Sequence, residues 1–160
     1  MKLRSLLAFA ILLVSCDRRQ PLVTIEPSMS NVVGRYSLTR YTFGEKLDTQ
    51  IKAKADSAYI ELNKDGTLLF HDVPIISERK NSPFLIQRFH SGNGTYSIAP
   101  LGSSSKSNFY GLYINCGSLP EPLGAPRLRG EKNSLTISFD YFNGDFVQRM
   151  AFTRTEKHIN

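Results

Sequence analysis

The chain has 160 residues, 41% of them hydrophobic, and its 20 Lys and Arg against 14 Asp and Glu give a formal charge of +6. That length suits one self-sufficient domain, which buries about two thirds of the surface its unfolded chain exposes. The basic residues, among them Arg35, Arg40, Lys52, Lys54, Arg88, Arg127, Arg129, Arg149 and Arg154, are scattered and form no aromatic-basic motif, which argues against a nucleic-acid partner. The two cysteines, Cys16 and Cys116, are too few for a disulfide scaffold.

Lys2 and Arg4 precede an uncharged apolar run over residues 6–14. A bilayer span needs roughly 20 apolar residues, whereas a secretory apolar region needs about 7 to 15, so residues 1–15 read as a cleaved signal peptide. Small Ser15 is followed at once by Cys16 and then by the charged Asp17-Arg18-Arg19.

Leu13-Val14-Ser15-Cys16 resembles the lipobox of bacterial lipoproteins. The resemblance implies a diacylglyceryl group on the Cys16 sulfur, cleavage just before that residue and usually a third acyl chain on the new amine. A thiol suits the first step because it is nucleophilic near neutral pH. One acyl chain binds a membrane only marginally, and two or three hold durably. The membrane is then a partner through the chains on Cys16, and the place is the bacterial cell envelope. Asp17, directly after the cysteine, tilts the expectation to the periplasmic face of the inner membrane. Cleavage removes Lys2 and Arg4, which leaves 18 basic residues against 14 acidic ones.

Residues 16–31, with Pro21 and Pro27 and little periodicity, read as the acylated cysteine and a flexible tether with roughly 20 Å of reach. The domain is expected over 32–155. From Val33 the pattern has period two, with Tyr36 and Leu38 opposite Arg35, Ser37 and Thr39, which predicts a half-buried strand. In 45–55, Leu47 and Ile51 stand four apart among solvated neighbours, as on a short surface helix.

Ala58, Ile60 and Leu62 alternate up to Asn63-Lys64-Asp65-Gly66, and Thr67-Leu68-Leu69-Phe70 follows. Asp-Gly between two alternating runs is a strong hairpin signal. Val73-Pro74 reads as the end of that hairpin, 84–89 as a further strand, and Ser91-Gly92-Asn93-Gly94 as a turn feeding a strand over 95–98. A serine-rich loop at 103–107 precedes a run whose Tyr110, Leu112, Ile114 and Cys116 share a face. Residues 117–133, rich in Pro and Gly, read as a long irregular loop. Leu135, Ile137 and Phe139 alternate with polar residues, Asn143-Gly144 predicts a second tight turn, and Phe146, Met150 and Phe152 share a face on the return. Residues 156–160 read as a tail.

The fold class is therefore all-β: a single antiparallel barrel of about eight strands with one short helix, or alternatively a β-sandwich. Gly34-Arg35-Tyr36, then Leu62-x-x-Asp65-Gly66-Thr67, then Gly92-Asn93-Gly94-Thr95-Tyr96 and a late Asn-Gly hairpin, together resemble small bacterial lipoproteins with a lipocalin-like body. Lipocalins carry Gly-x-Trp on the first strand, packed by an arginine from the end of the barrel. Here Tyr36 stands in the tryptophan position, with Arg149 and Arg154 as candidate partners.

No constellation identifies a reaction, and the expectation is a protein that is not an enzyme and uses no cofactor or metal. His71 and Asp72 are neighbours on a strand and should face opposite ways, His90 and His158 have no ligand spacing, and Cys116 fits a small core residue. Tyr36, Phe70, Tyr96, Tyr110, Phe139 and Phe152 fall on the expected inner face, where they line a cavity or fill the core. Two functions fit: a binding module for a small apolar ligand or envelope component, or an interaction or inhibitor module working through loops 77–82 and 117–133 or an exposed strand edge.

Overall fold

The computed structural model describes residues 20–41, 49–77, 85–104, 107–117, 125–131, 133–143 and 146–156. The signal peptide, Cys16, Leu47, Phe84, the Asn-Gly turn at residue 144 and His158 lie outside them. Eight antiparallel strands close into a barrel in sequence order: β1 (Gly34–Tyr41), β2 (Tyr59–Leu62), β3 (Thr67–Ser77), β4 (Leu85–Ser104), β5 (Ser107–Asn115), β6 (Arg127–Arg129), β7 (Thr136–Asn143) and β8 (Phe146–Glu156). Two short helices, α1 (Met29–Val32) and α2 (Thr49–Asp56), accompany them. The all-β barrel expectation holds, and the sandwich alternative falls because β1 pairs with β8 and closes the ring. The closed antiparallel barrel is consistent with a lipocalin-like plan.

Period-two alternation decides which side chains enter. On β1, Tyr36 and Leu38 are buried and Arg35 and Ser37 are not; on β8, Met150 and Phe152 are wholly buried. The hairpin between β2 and β3 turns as its residues demand. Gly66 takes φ +82°, and the Asp65 carboxylate accepts from both the N–H and the hydroxyl of Thr67, at 2.9 and 2.6 Å.

Several expectations are corrected. Pro74 does not end β3: the pairing register shifts between Phe70 and Val73, Asp72 adopts φ +48° in the bulge, and the strand continues with Pro74 opposite Phe89. Nor is Gly92-Asn93-Gly94 a turn. It lies within the 20-residue β4, which pairs with β3 up to Thr95 and with β5 from Thr95 onward. Glycine fits at 94 because β5 comes so close: a Cβ there would sit 2.7 Å from the Asn115 carbonyl oxygen and 2.9 Å from the Cys116 Cβ. Gly94→Ala accordingly loses about 2 kcal/mol, roughly 5 °C in melting temperature, whereas a turn-tip glycine with open space around it would tolerate the methyl. Thermal unfolding followed by circular dichroism checks this.

Residues 117–133 are not wholly irregular, because they contain β6. Its three residues meet β5 through one pair, Gly111 with Arg127. Here the N-terminal segment fills the seam. Val23 donates its N–H to Leu128 O at 3.0 Å and accepts from the Tyr110 N–H at 2.9 Å, Leu22 bridges Arg129, and Gly130 N–H reaches Pro21 O at 2.9 Å. From residue 20 onward, the segment read as tether is thus bonded to the barrel, and it continues into α1, which the period-two reading did not anticipate.

Candidate functional site

The aromatic set is mostly brought together. Tyr36, Phe70, Tyr96, Phe139 and Phe152 are each at most 5% exposed and belong to one core cluster, and Phe139 meets Phe152 edge to face with ring centroids 5.9 Å apart. Tyr110 stands apart, half-buried on β5 and outside that cluster.

At the barrel end where β1 begins and β8 finishes, these residues build a polar latch. The Tyr36 hydroxyl donates to Val32 O at 2.6 Å and accepts from Arg154 Nη2 at 2.7 Å and Nε at 3.2 Å. The same guanidinium donates to Asn31 O and lies 5.2 Å from the centroid of the Tyr36 ring. Of the two candidate partners of Tyr36, Arg154 is the one that packs on it. Beside them the Tyr96 hydroxyl donates to Asn63 O at 2.7 Å, with Met29 Sδ 3.1 Å away. Burial pushes the Tyr36 phenol up, against the pull of Arg154, and pushes Tyr96 up to about 12. Both stay neutral and act as hydrogen-bonding wedges that pin α1 across this end.

The groups weighed for catalysis lie elsewhere. The bulge at Asp72 brings its carboxylate within 3.9 Å of His71 Nε2, contrary to the alternation argument, because its left-handed backbone leaves the pleat. Asp72 is also held by Lys54 at 3.6 Å and by Ser91, and His71 stacks on Tyr59 with centroids 4.7 Å apart. Cys116 Sγ donates to Asn93 O at 3.1 Å and lies 4.0 Å from His90 Nε2, whose pKa burial and then the Arg88 charge depress. Among the described residues no group of three or more His, Cys, Asp or Glu is placed to hold a metal ion.

A polar cluster on the outer face was not anticipated. Asp140 on β7, its side chain 3% exposed, accepts from Arg149 Nε at 2.6 Å, Arg129 Nη2 at 3.0 Å and Arg127 Nη1 at 3.4 Å, and from the Ser138 hydroxyl at 2.8 Å. Burial raises the pKa of this carboxyl. The bonds from Arg149, Ser138 and Arg129, with the Arg149 charge, outweigh that and hold it below the usual carboxylate range. Beside it lies a groove of about 200 Å³, with Thr136, Ser138, Ala151 and Thr153 against walls that include Arg40, Arg129 and Arg149. Arg127-Leu128-Arg129 places two guanidiniums on one strand face and was the signal available in the sequence; its partners come from other strands.

Comparison of the chain with family models, curated proteins and solved structures finds no match to any of them. Fold and site define an eight-stranded antiparallel barrel latched at one end, with an arginine-walled groove on its outside.

Proposed function

We propose that this chain is a lipid-anchored, non-enzymatic binding module of the bacterial cell envelope, held to the membrane through acyl chains on Cys16. Its ligand is a small apolar molecule or an envelope component, taken at the end of the barrel opposite the latch. The observation that carries the reading is the asymmetry of the barrel. The Tyr36–Arg154 latch and α1 cross one end, while the connections from β1 to β2, β3 to β4 and β5 to β6 leave from the other. The lipobox-like Leu13-Val14-Ser15-Cys16 supports the anchor. Because Arg129 already holds the Gln20 carbonyl, only residues 17–19 separate the anchor from the barrel, a span of at most about 14 Å. The domain then rides against the headgroups.

Two measurements test this. Labelled palmitate enters the parent chain, which partitions into the detergent phase; Cys16→Ser takes up no label and becomes soluble. Native mass spectrometry of the full chain extracted from membranes finds a small molecule that leaves on denaturation. A Cys16→Ser chain still labelled and membrane-bound refutes the anchor, and a ligand-free parent refutes the binding module. A second reading, interaction with or inhibition of an envelope protein, draws on Ile25 and Tyr113, which are 82% and 64% exposed.

A further inference from the structure

The outer face of β6, β7, β8 and β1 has a floor of small side chains. Ladder pairing sets Ser138 opposite Ala151 and Thr136 opposite Thr153, with Arg40 of β1 next to Ala151 and Arg129 of β6 next to Thr136. Short side chains at the centre and long arginines around them make the groove a direct result of register. Among the described residues, no carboxylate lines it. Asp140 stands to one side and orients Arg129 and Arg149 by accepting their N–H groups.

Two buried groups here lack partners. Thr136 is 5% exposed and its Oγ1 has no hydrogen-bond partner, and Arg129 Nε has none either. Folded proteins seldom leave such groups unpaired, because each loses its water without compensation. Both can donate, they come from adjacent strands, and guanidiniums flank them on two further strands. A group that accepts from several directions at once completes this set. A tetrahedral oxyanion does so better than a planar carboxylate, which has two oxygens, and arginine is suited to phosphate through its fixed fork of donors.

We propose that this groove is a binding site for a phosphate-class oxyanion, carried either by a soluble phosphate ester or by a lipid headgroup. Thr136 Oγ1 and Arg129 Nε donate to it, Arg40 and Arg149 supply charge, and Asp140 is a positioning residue. The phosphate chemistry stands independently of the function proposed above; the headgroup source rests on it, since Gln20 lines the groove close to the proposed anchor.

The test uses the full chain in neutral-detergent micelles, titrated calorimetrically with inorganic phosphate, glycerol 1-phosphate and short-chain phosphatidylglycerol. Saturable binding is expected, with a dissociation constant under about 1 mM for at least one probe. Thr136→Val weakens it about tenfold while leaving the urea midpoint at or above that of the parent, because valine removes the unpaired hydroxyl and keeps the shape. Arg40→Gln, at the rim, weakens binding by a similar factor. If the short-chain lipid binds at least about tenfold tighter than glycerol 1-phosphate, the source is a headgroup; equal affinities assign a soluble ester. Either result supports the site. No saturable binding by any probe, or affinities unchanged in both variants, overturns it.

Discussion

Asp140→Asn lowers the unfolding free energy by about 3 kcal/mol at neutral pH, and the urea midpoint falls by about 1.5 M. The carboxylate is 3% exposed and holds guanidiniums from β6 and β8 together over β7. The amide keeps the shape but offers one acceptor oxygen and turns an NH2 toward donors it cannot satisfy. Removing one partner of a buried ionic cluster costs about 3–5 kcal/mol; Arg127, Arg129 and Arg149 are 30%, 12% and 20% exposed, and solvent screening puts this case at the lower end. The pH dependence fixes the cause. Asp140 has its pKa depressed below 3.8 in the folded chain, so its contribution is complete above the unfolded value and is lost as pH falls through the folded one. Parent and variant therefore differ most above about pH 5 and converge on acidification below 4. A gap that stayed constant with pH would assign the loss to packing instead of charge.

The same outer cluster shows where the sequence runs out. Ile137, Phe139, Met150 and Phe152 were legible because burial on one face imposes a period of two within a single strand. The Arg127, Arg129, Arg149 and Asp140 cluster was not, since its members become neighbours only when β6, β7 and β8 acquire their register. The count of eight strands was right, but two errors offset each other. Residues 85–89 and 95–98 are parts of one strand, because Gly92 and Gly94 lie within its ladder and Gly94 serves the close approach of β5, not a turn, while the three-residue β6 was hidden among prolines and glycines. Tyr36 was legible as a core aromatic, and so was the choice of Arg154 over Arg149, since it follows from the same period of two. β8 shows why it falls that way. Met150 and Phe152 point inward and Arg154 shares their parity, so it enters the end of the barrel, whereas Arg149 is of opposite parity and meets Asp140 outside.

Parity makes Arg154 the second position of large expected effect. Arg154→Met keeps much of the apolar stem but removes the bonds to Tyr36 and Asn31 and the charge over the Tyr36 ring. Bonds to a charged donor contribute about 1.5–3 kcal/mol each before accounting for what the vacated groups recover from water, so a net loss of about 2–3 kcal/mol is expected. The loss is unevenly placed. Asn31 and Val32 belong to α1, whose four residues cannot sustain a helix alone, so amide exchange at Asn31 and Val33 speeds up far more than at the centre of β7. Arg154→Lys restores the charge but not the forked reach to two acceptors, and recovers only part of the loss. A spectroscopic signature separates the latch from general destabilisation: Arg154 lowers the Tyr36 pKa, so in Arg154→Met this phenol ionises at higher pH than in the parent while the barrel is still folded. If the tyrosinate absorbance titrates identically in both and exchange rises evenly over all strands, Arg154 is an ordinary packing residue and the barrel end is not latched through it.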